Sequence, residues 1–426
     1  MAESDVMSNR SAARFVAPIR TFPWFFVLVF TAYPLGAIAA QLTGVDNRVV
    51  SVAMRGLVLL LACAVAGAAF MRRRELGGTR AFWVAGLVFW TAYSMRLFND
   101  LLLSVHPLLK APSEYVTFTF GTCVVPMFAA MLRTTPGERD QARVWLTRAL
   151  IVACTGAIVV EVLSLARGET VLDLQGGRLG SATLNPISLG QMGAILASLV
   201  VARVAIGRQP LLSVFSLSAT ALGLAALLGS ASRGPMVALV VALMALAGVR
   251  AMERFGAHIL RLALVVGLVA VASIYSARYF EDSLGLSTVS RVALLFSGAQ
   301  DESSAERVRV IRRAVAGFED SPLVGYGIEE YSSRNYPHNI LLDALMSTGL
   351  AGGIPIIVLF AIGTHAALRL MRSGSVDAWL GVVFIQLLIE TMLSGDVWES
   401  GTLWVALAAT VATLASRGAG QSPVAS

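Results

Sequence analysis

Long apolar runs dominate the pattern of hydrophobic and polar positions. Stretches of about 20 apolar residues, the length of a helix that crosses the hydrocarbon core of a bilayer, recur along the whole chain. The runs are continuous rather than alternating, which argues against a transmembrane β-barrel. The sequence therefore predicts an all-α polytopic membrane protein with about 12 transmembrane helices. The predicted spans are residues 24–43, 50–71, 81–98, 115–132, 146–166, 184–202, 211–230, 234–250, 260–278, 350–370, 376–394 and 400–416.

The distribution of arginine between the short loops predicts the orientation. With the N-terminus in the cytoplasm, most arginines of short loops fall on the cytoplasmic side, as the positive-inside rule requires. The chain then divides into a cytoplasmic tail (1–23), transmembrane helices 1–9 (24–277), a periplasmic loop with amphipathic helices (278–349), transmembrane helices 10–12 (350–416) and a second cytoplasmic tail (417–426). The periplasm is the outer compartment if the cell is Gram-negative, and the long loop is the only sizeable extramembrane region.

The composition supports a membrane protein and excludes several other classes. The chain has 426 residues, of which 56% are hydrophobic and 14% charged, and its net charge of +7 comes almost wholly from arginine, since Lys110 is the only lysine. These arginines lie beside spans and form no clustered basic patch, so the charge indicates membrane topology rather than nucleic-acid binding. The three cysteines lie in or beside apolar segments without CxxC spacing, so we expect them in the core: Cys63, Cys123 and Cys154.

The segment from Ser303 to Pro355 concentrates charge, turn residues and a histidine among apolar surroundings. Four arginines crowd one side of its first part, and four apolar residues at helical spacing form the other, which predicts an amphipathic helix. The arginines are Arg307, Arg309, Arg312 and Arg313, and the apolar residues are Val308, Ile311, Val315 and Phe318. Pro322 ends this helix. Pro337 suits the first turn of a second helix, which we expect to begin near His338 and to stop near Gly349.

Two further arginines oppose the topology that the other arginines set. Arg178 precedes the sixth span in GGRLGSATLNPISLG, and Arg233 follows the seventh in SASRGP, both on the outer side. A cation at this boundary either snorkels to lipid phosphate or binds an anionic partner. Since Arg307 is also on the outer side, several cations could converge on one cavity. Phosphate would then be the natural ligand, because guanidinium groups bind it bidentately and stay charged.

His338 has a structural and a catalytic interpretation. A single histidine is more often a structural polar residue than a catalyst. However, its position after Asn335-Tyr336-Pro337, at a predicted helix N-terminus, disfavours the imidazolium form. The ring would then be neutral near pH 7 and able to accept a proton.

Several common chemistries leave no trace in the sequence. The outer loops contain no D-x-D pair, no cluster of residues has metal-ligand spacing, and the chain has no ATP-binding G-x-x-x-x-G-K-[ST] motif. We therefore expect neither a metal nor another cofactor, and no ATP. Glu161 and Glu390 are isolated acids inside spans. They are either polar contacts between helices or proton-relay carboxylates, so a secondary transporter or flippase remains an alternative.

Three segments, in order, resemble the O-antigen ligase and O-antigen polymerase superfamily of bacterial envelope glycosyltransferases. They are GRLGSATLNPISLG, LLGSASRGPMVAL, and the long outer segment ERVRVIRRAVAGFEDSPLVGYGIEEY followed by YPHNILLDALMSTGLAGGI. The resemblance covers residues 175–360. The last segment is the most specific, because its length, turn glycines and histidine agree together. The chain departs from the family at Ile187, where the family often has asparagine.

This resemblance implies a GT-C-like membrane glycosyltransferase. The reaction would be metal-independent and inverting, and would transfer a glycan from undecaprenyl pyrophosphate to a sugar hydroxyl at the periplasmic face of the inner membrane. The acceptor is lipid A–core in the ligase branch and another lipid-linked repeat unit in the polymerase branch. We favour the ligase, because the single long loop lies late in the chain.

The resemblance also implies roles for individual residues. Arg178, Arg233 and Arg307 would hold the pyrophosphate, and His338 would take the proton of the acceptor hydroxyl. The secondary candidates would contact acceptor phosphates or form a solvated helix face, the second being favoured for the arginines: Arg309, Arg312, Arg313 and Asn339.

Overall fold

The structure, a computed structural model, describes residues 21–104, 108–166, 184–207, 213–251, 302–333 and 335–418. These residues form helices joined by short turns, and their only β pairings are two isolated bridges. Seven of the described helices are long and apolar enough to cross a membrane, judged by length and composition. The predicted all-helical polytopic fold is thereby confirmed, whereas the number of 12 spans stays a prediction.

Most helices overlap the predicted spans. The helices are α1 (Phe22–Thr43), α2 (Asn47–Met71), α3 (Arg80–Leu102), α4 (Pro112–Val116), α5 (Val125–Ala130), α6 (Pro136–Ala166), α7 (Pro186–Ala205), α8 (Val214–Gly229), α9 (Arg233–Ala251), α10 (Glu302–Asp320), α11 (Ile340–Arg372), α12 (Ala378–Ser394) and α13 (Gly401–Gly418). However, α6 and α11 each begin ten residues before the predicted start, and α10 lies in the predicted outer loop. The ninth predicted span, 260–278, lies outside the described residues.

The fourth predicted span is not a continuous α-helix. A π-helical segment, Thr117–Val124, separates α4 from α5. Pro126 stands in the first turn of α5 and has no backbone N–H to donate to the preceding turn. Widening of the helix next to a missing donor is a common way to satisfy the remaining backbone groups.

The helices pack around one continuous apolar core. Its centre contains large buried side chains from four helices, including Phe89 and Trp90 of α3 and Trp404 of α13. The rings of Trp90 and Trp404 meet with centroids 4.9 Å apart. Many apolar side chains of α2, by contrast, are exposed, such as Leu60 at 68% and Phe70 at 86%. An apolar exterior around a packed core is what a bilayer environment requires.

Helix α11 breaks at Gly349, so its first turns and its long remainder are separate helical pieces. Gly349 has φ 58° and ψ −154°, which is non-helical. The loop 321–327 supplies hydrogen bonds there: Leu350 N donates to the Pro322 carbonyl (2.7 Å), and Tyr326 N donates to the Met346 carbonyl (2.7 Å). The expected stop near Gly349 is therefore a break followed directly by the next helix.

We call the end of the bundle where α2, α7, α9, α11 and α13 begin the site end. Close contacts join these starts to one another: Gly190 of α7 lies against Ser230, Ser232 and Pro235 at the start of α9. The other end holds the start of α6 and the turn before α12. Two buried residues, Arg139 and Asp377, form an ion pair there.

Candidate functional site

Arg307 lies on the buried side of α10, apart from the other three arginines. The buried residues of this helix are Val310, Ala314 and Gly317. Spacings of three, seven and ten residues put them on the same face as Arg307, which is itself half-buried. The predicted apolar face was wrong in its register, since Ile311 is 37% and Val315 39% exposed. Because Val310 and Ala314 are buried, the helix face that includes Arg307 is the one that faces inward.

The remaining arginines of α10 point away from this face. Arg309, Arg312 and Arg313 are all exposed. Arg309 pairs with Glu306, one turn earlier on the same helix. Arg313 lies 3.5 Å from Glu330. These contacts fit the solvated helix face that the sequence analysis favoured, although their role in acceptor binding is untested.

The loop after α10 is attached to the end of α3. Arg96 donates to the Gly325 carbonyl (3.1 Å) and to the Tyr331 hydroxyl (3.0 Å). Asp100 pairs with Arg96 (2.9 Å) and accepts from Ile328 N (2.8 Å). The polar residues that weaken the third apolar run are thus the ones that hold the loop in place.

A tight turn between Glu330 and Asn335 carries the chain to His338. Burial by itself would raise the pKa of Glu330, but hydrogen bonds from Ser333 and Ser332 hold it lower, at about 2. The carboxylate accepts from both serine hydroxyls and both backbone N–H groups. The Glu330 N–H in turn donates to the Asn335 carbonyl (2.9 Å). A charged acceptor thus satisfies the donors of Ser332 and Ser333, which stabilises this part of the turn.

His338 precedes α11 in a left-handed backbone conformation, with φ 54°. The second helix therefore begins at Ile340, later than Pro337 predicts, and Pro337 lies outside it. The imidazole is half-buried, and its centroid lies 4.5 Å from that of the Tyr336 ring. Non-glycine residues with positive φ cost free energy and often occur at functional sites.

The surroundings of His338 keep its ring neutral. Burial, and secondly the charge of Arg307, lower its pKa from 6.5 to about 4. Its Nδ1 atom is buried without a hydrogen-bond partner among the described residues. The charge of Arg307 therefore acts on His338, whose Nδ1 atom is uncommitted among the described residues.

Asn339 has a structural role in this arrangement. As the N-cap of α11, its Oδ1 accepts from Leu341 N (3.1 Å) and Leu342 N (2.9 Å). Its Nδ2 donates to the Met392 carbonyl near the end of α12 (2.9 Å). Both ends of the amide are therefore occupied, and the contact joins the histidine segment to α12.

Arg233 begins α9 close to the same end of α12. A Cβ atom on the following residue, Gly234, would lie 3.9 Å from Cβ of Leu393. Leu393 is the neighbour of Met392, to which Asn339 binds. The chain neighbours of Arg233 and His338, Gly234 and Asn339, therefore both lie beside the final turn of α12. The third predicted arginine, Arg178, lies outside the described residues.

Comparison with protein families gives one match in this region. Residues 218–357 match the family model described as O-Antigen ligase. This match supports the similarity of this part of the chain to the O-antigen ligase and polymerase superfamily. No curated protein matches the chain in a sequence search. The matched residues include α8, α9, Arg307 and His338, so the family region contains most of the geometry described above.

The family and the helices together support a broad assignment. They indicate a multi-pass bacterial membrane enzyme of O-antigen processing, with lipid-linked glycans and lipid A–core-type molecules as partners in general. In the described part of the chain, no three His, Cys, Asp or Glu side chains are grouped so that they could hold a metal ion. The metal-independent reaction stays a prediction.

Sequence reasoning missed a pair of buried acids behind His338. Asp343 is 1% exposed and accepts from Val397 N (2.8 Å). Asp396 is 2% exposed and accepts from Glu399 N (2.6 Å); burial, and next the charge of Glu399, raise its pKa. The sequence could have pointed to Asp343 and Asp396, because each acid lies where an apolar run begins or ends. They fix the turn 396–400 beside the histidine segment.

Sequence reasoning also missed a cavity of about 760 Å³ at the site end. It lies between α1, α2, the π-segment, α7 and the start of α13. Its wall includes Arg55, Lys110 and Glu399. Arg233, Arg307 and His338 are not among the described residues that line it.

Proposed function

We propose that this protein is an O-antigen ligase of the inner membrane. It would transfer O-antigen polysaccharide from undecaprenyl pyrophosphate to a sugar hydroxyl of lipid A–core. The site end would face the periplasm, with both termini in the cytoplasm. The observation that carries the proposal is the half-buried pair of Arg307 and a neutral His338 with an uncommitted ring nitrogen, within the region matched by the family model.

The two groups have complementary tasks in such a transfer. The acceptor oxygen attacks the anomeric carbon of the glycan, the bond from that carbon to the pyrophosphate oxygen breaks, and the pyrophosphate leaves on its lipid carrier. Arg307 and Arg233, with Arg178 from the sequence resemblance, would stabilise the charge that grows on the pyrophosphate. His338 would take the proton of the acceptor hydroxyl.

Because this site is partly buried, a small number of charged and polar side chains would be enough to catalyse the transfer. A guanidinium in a partly water-excluded site stabilises developing charge far better than one in water. A neutral imidazole beside it cannot repel the cation, and it regains basicity when the pyrophosphate anion binds nearby. Cleavage of the bond between the glycan and the pyrophosphate supplies the driving force, so no ATP is needed.

Ligation in a strain that lacks the gene for this protein tests the proposal. We expect His338→Ala and Arg307→Ala each to reduce polymer-capped lipopolysaccharide by about 100-fold or more while the protein still accumulates. Arg80→Gln, an exposed change at the other end of the bundle, is the matched control. Full ligation by His338→Ala would remove the base assignment.

The same experiment separates the ligase from the polymerase branch, which would use the same site. Loss of a ligase leaves long lipid-linked polymer uncapped, whereas loss of a polymerase leaves single repeat units on the core. We expect the first pattern.

A further inference from the structure

The described lining of the 760 Å³ cavity has one more cation than it has carboxylates, since Arg48, Arg55 and Lys110 face Glu114 and Glu399. Two of its cations are paired, Arg48 with Glu114 and Lys110 with Glu399. Arg55 is different: within the described ranges it forms no ion pair, and its guanidinium lies 3.4 Å above the centre of the Phe118 ring. A guanidinium inside a membrane-spanning helix without a paired acid favours an anionic ligand.

Three helices direct their positive ends to the same space. The first residue of α2, Asn47, the N-cap of α7, Asn185, and the first residue of α13, Gly401, all line the cavity. The N-terminus of a helix carries partial positive charge and unsatisfied N–H groups that stabilise anions. Asp46 caps the start of α2 with a carboxylate, and Glu114 and Glu399 are paired with Arg48 and Lys110. The starts of α7 and α13 and the guanidinium of Arg55 therefore supply the positive potential of the cavity.

Polarity changes along the cavity as it would for an amphiphile. On α2 the lining runs from Arg48 and Ser51 near the helix start to Val58 deeper in the bundle. On α7 it runs likewise from Ser188 to Met192 and Ile195. The polar end therefore takes a charged or hydroxylated head, and the apolar end takes hydrocarbon. The volume lies within the ~300–1,000 Å³ of small-molecule sites.

Glu399 connects this cavity with the histidine site. It lines the cavity and pairs with Lys110, whose amino group also lies 4.4 Å from the centre of the Trp398 ring. Burial raises the pKa of Tyr336, whose ring packs against His338, and the charges of Asp396 and Glu399 add to that effect. A head group in the cavity would thus be a neighbour of the proposed base.

We infer that the cavity binds the second substrate, an anionic glycolipid acceptor, with its phosphate at Arg55 and its sugars towards Glu399 and His338. This assignment rests on the proposed function, which gives the donor pyrophosphate to Arg233 and Arg307. It holds for either branch of the superfamily, because lipid A–core and a lipid-linked repeat unit are both anionic glycolipids.

Steady-state transfer by the purified full-length protein tests this assignment. We expect Arg55→Gln to raise KM for phosphorylated lipid A–core about tenfold or more and to leave KM for the donor unchanged. Arg55→Lys keeps the charge and should recover part of the loss, whereas Arg80→Gln should change neither constant. Removal of the phosphates from the acceptor should weaken the wild type and leave Arg55→Gln almost unaffected.

Two outcomes would overturn the inference. An unchanged KM for the acceptor would show that Arg55 does not contact it, and a raised KM for the donor alone would assign the cavity to the carrier lipid. A binding measurement keeps the inference separate from the proposed function. Phosphorylated lipid A–core should raise the unfolding temperature of the wild type and of His338→Ala but not of Arg55→Gln, even if no transfer occurs. Equal stabilisation of Arg55→Gln would refute the inference.

Discussion

Arg307 influences His338 because α10 turns one arginine towards its buried side and His338 stands in a strained conformation just before α11. On α10 the buried face of Val310 and Ala314 includes Arg307 and excludes its three arginine neighbours. At His338 the positive φ and the tilted Tyr336 ring, 4.5 Å away between centroids, hold the imidazole in place. A cation beside a half-buried imidazole stabilises the neutral ring, which is the form that can accept a proton.

The pH dependence of transfer should report this pair. Because the pKa of His338 is lowered to about 4, the free enzyme keeps a neutral ring down to about pH 5, whereas an ordinary histidine is half protonated at 6.5. We expect kcat/KM to fall only as the pH drops through about 4. In Arg307→Ala the acid limb of the pH profile of kcat/KM should move to higher pH. It should not reach 6.5, because burial, the larger cause of the lowered pKa of His338, remains.

The exposed Arg312→Ala variant is the control for that shift. It removes an equal charge from the same helix and should leave both the rate and the acid limb unchanged, because exposed charges are screened by solvent. An acid limb at pH 6.5 in the wild type would contradict the neutral-ring account. An equal shift of the acid limb in Arg307→Ala and Arg312→Ala would mean that the overall charge of α10, rather than the nearness of Arg307, lowers the pKa of His338.

At the scale of elements, the break in α11 links the outer loop to the bundle. Gly349 and Gly325, both with positive φ, allow the two backbones to approach: a Cβ on Gly349 would lie 2.4 Å from the Leu323 carbonyl carbon, and one on Gly325 would lie 2.3 Å from the Ser347 carbonyl. The loop then satisfies the backbone groups that the break leaves free. The loop and the first turns of α11 therefore move as one unit.

Gly349→Ala should disrupt this unit. The new methyl group meets backbone rather than a movable side chain, and alanine resists the left-handed conformation. We expect a loss of about 2 kcal/mol or more, measured as a lower unfolding temperature in detergent. Gly67→Ala in α2, where no atom lies within 4 Å of the new Cβ, should be neutral or stabilising. Equal unfolding temperatures of the two variants would mean that the break at Gly349 does not contribute to stability.

Most helices could be predicted from the sequence, but the register of α10 could not. Continuous apolar runs specify a spanning helix regardless of which side faces the core, so positions such as 22–43 agree within a few residues. The sequence of α10 places apolar residues on two faces of the helix: Val308, Ile311, Val315 and Phe318 on one, and Val310 and Ala314 on the other. The pattern alone therefore did not show which face is buried. Packing against the loop decided between the two faces: a Cβ on Gly317 would lie 3.1 Å from the Tyr326 ring. Such contacts between distant segments leave no periodic signal.

At the scale of the whole molecule, the two ends of the bundle differ in what their polar groups do. At the site end, cations such as Arg55 and Arg307 line or face water-accessible space. At the other end, buried ions are paired with one another: Arg74 with Glu138 (3.0 Å), and Arg139 with Asp377 (2.9 Å). The arginine bias in the sequence predicted which loops share a side. It could not show that some of these arginines form interhelical ion pairs, because their acids lie far away in sequence.

Asp377 should be the most sensitive residue of this paired end. Its carboxylate accepts from Arg139 of α6 through two bonds (2.9 and 3.0 Å) and from Arg417 of α13 (2.6 Å), while it stands at the start of α12. Asp377→Asn leaves a buried guanidinium with no anion, which costs about 3 kcal/mol or more in such pairs. Glu75→Gln breaks the exposed pair with Arg133 and should cost less than about 1 kcal/mol. Thermal unfolding in detergent compares the two variants.

The His338 site lies at the opposite end of the bundle from Asp377. Transfer by the Asp377→Asn protein that remains folded should therefore have the KM of the wild type. A changed KM would mean that the ion pairs of one end set the geometry of the other.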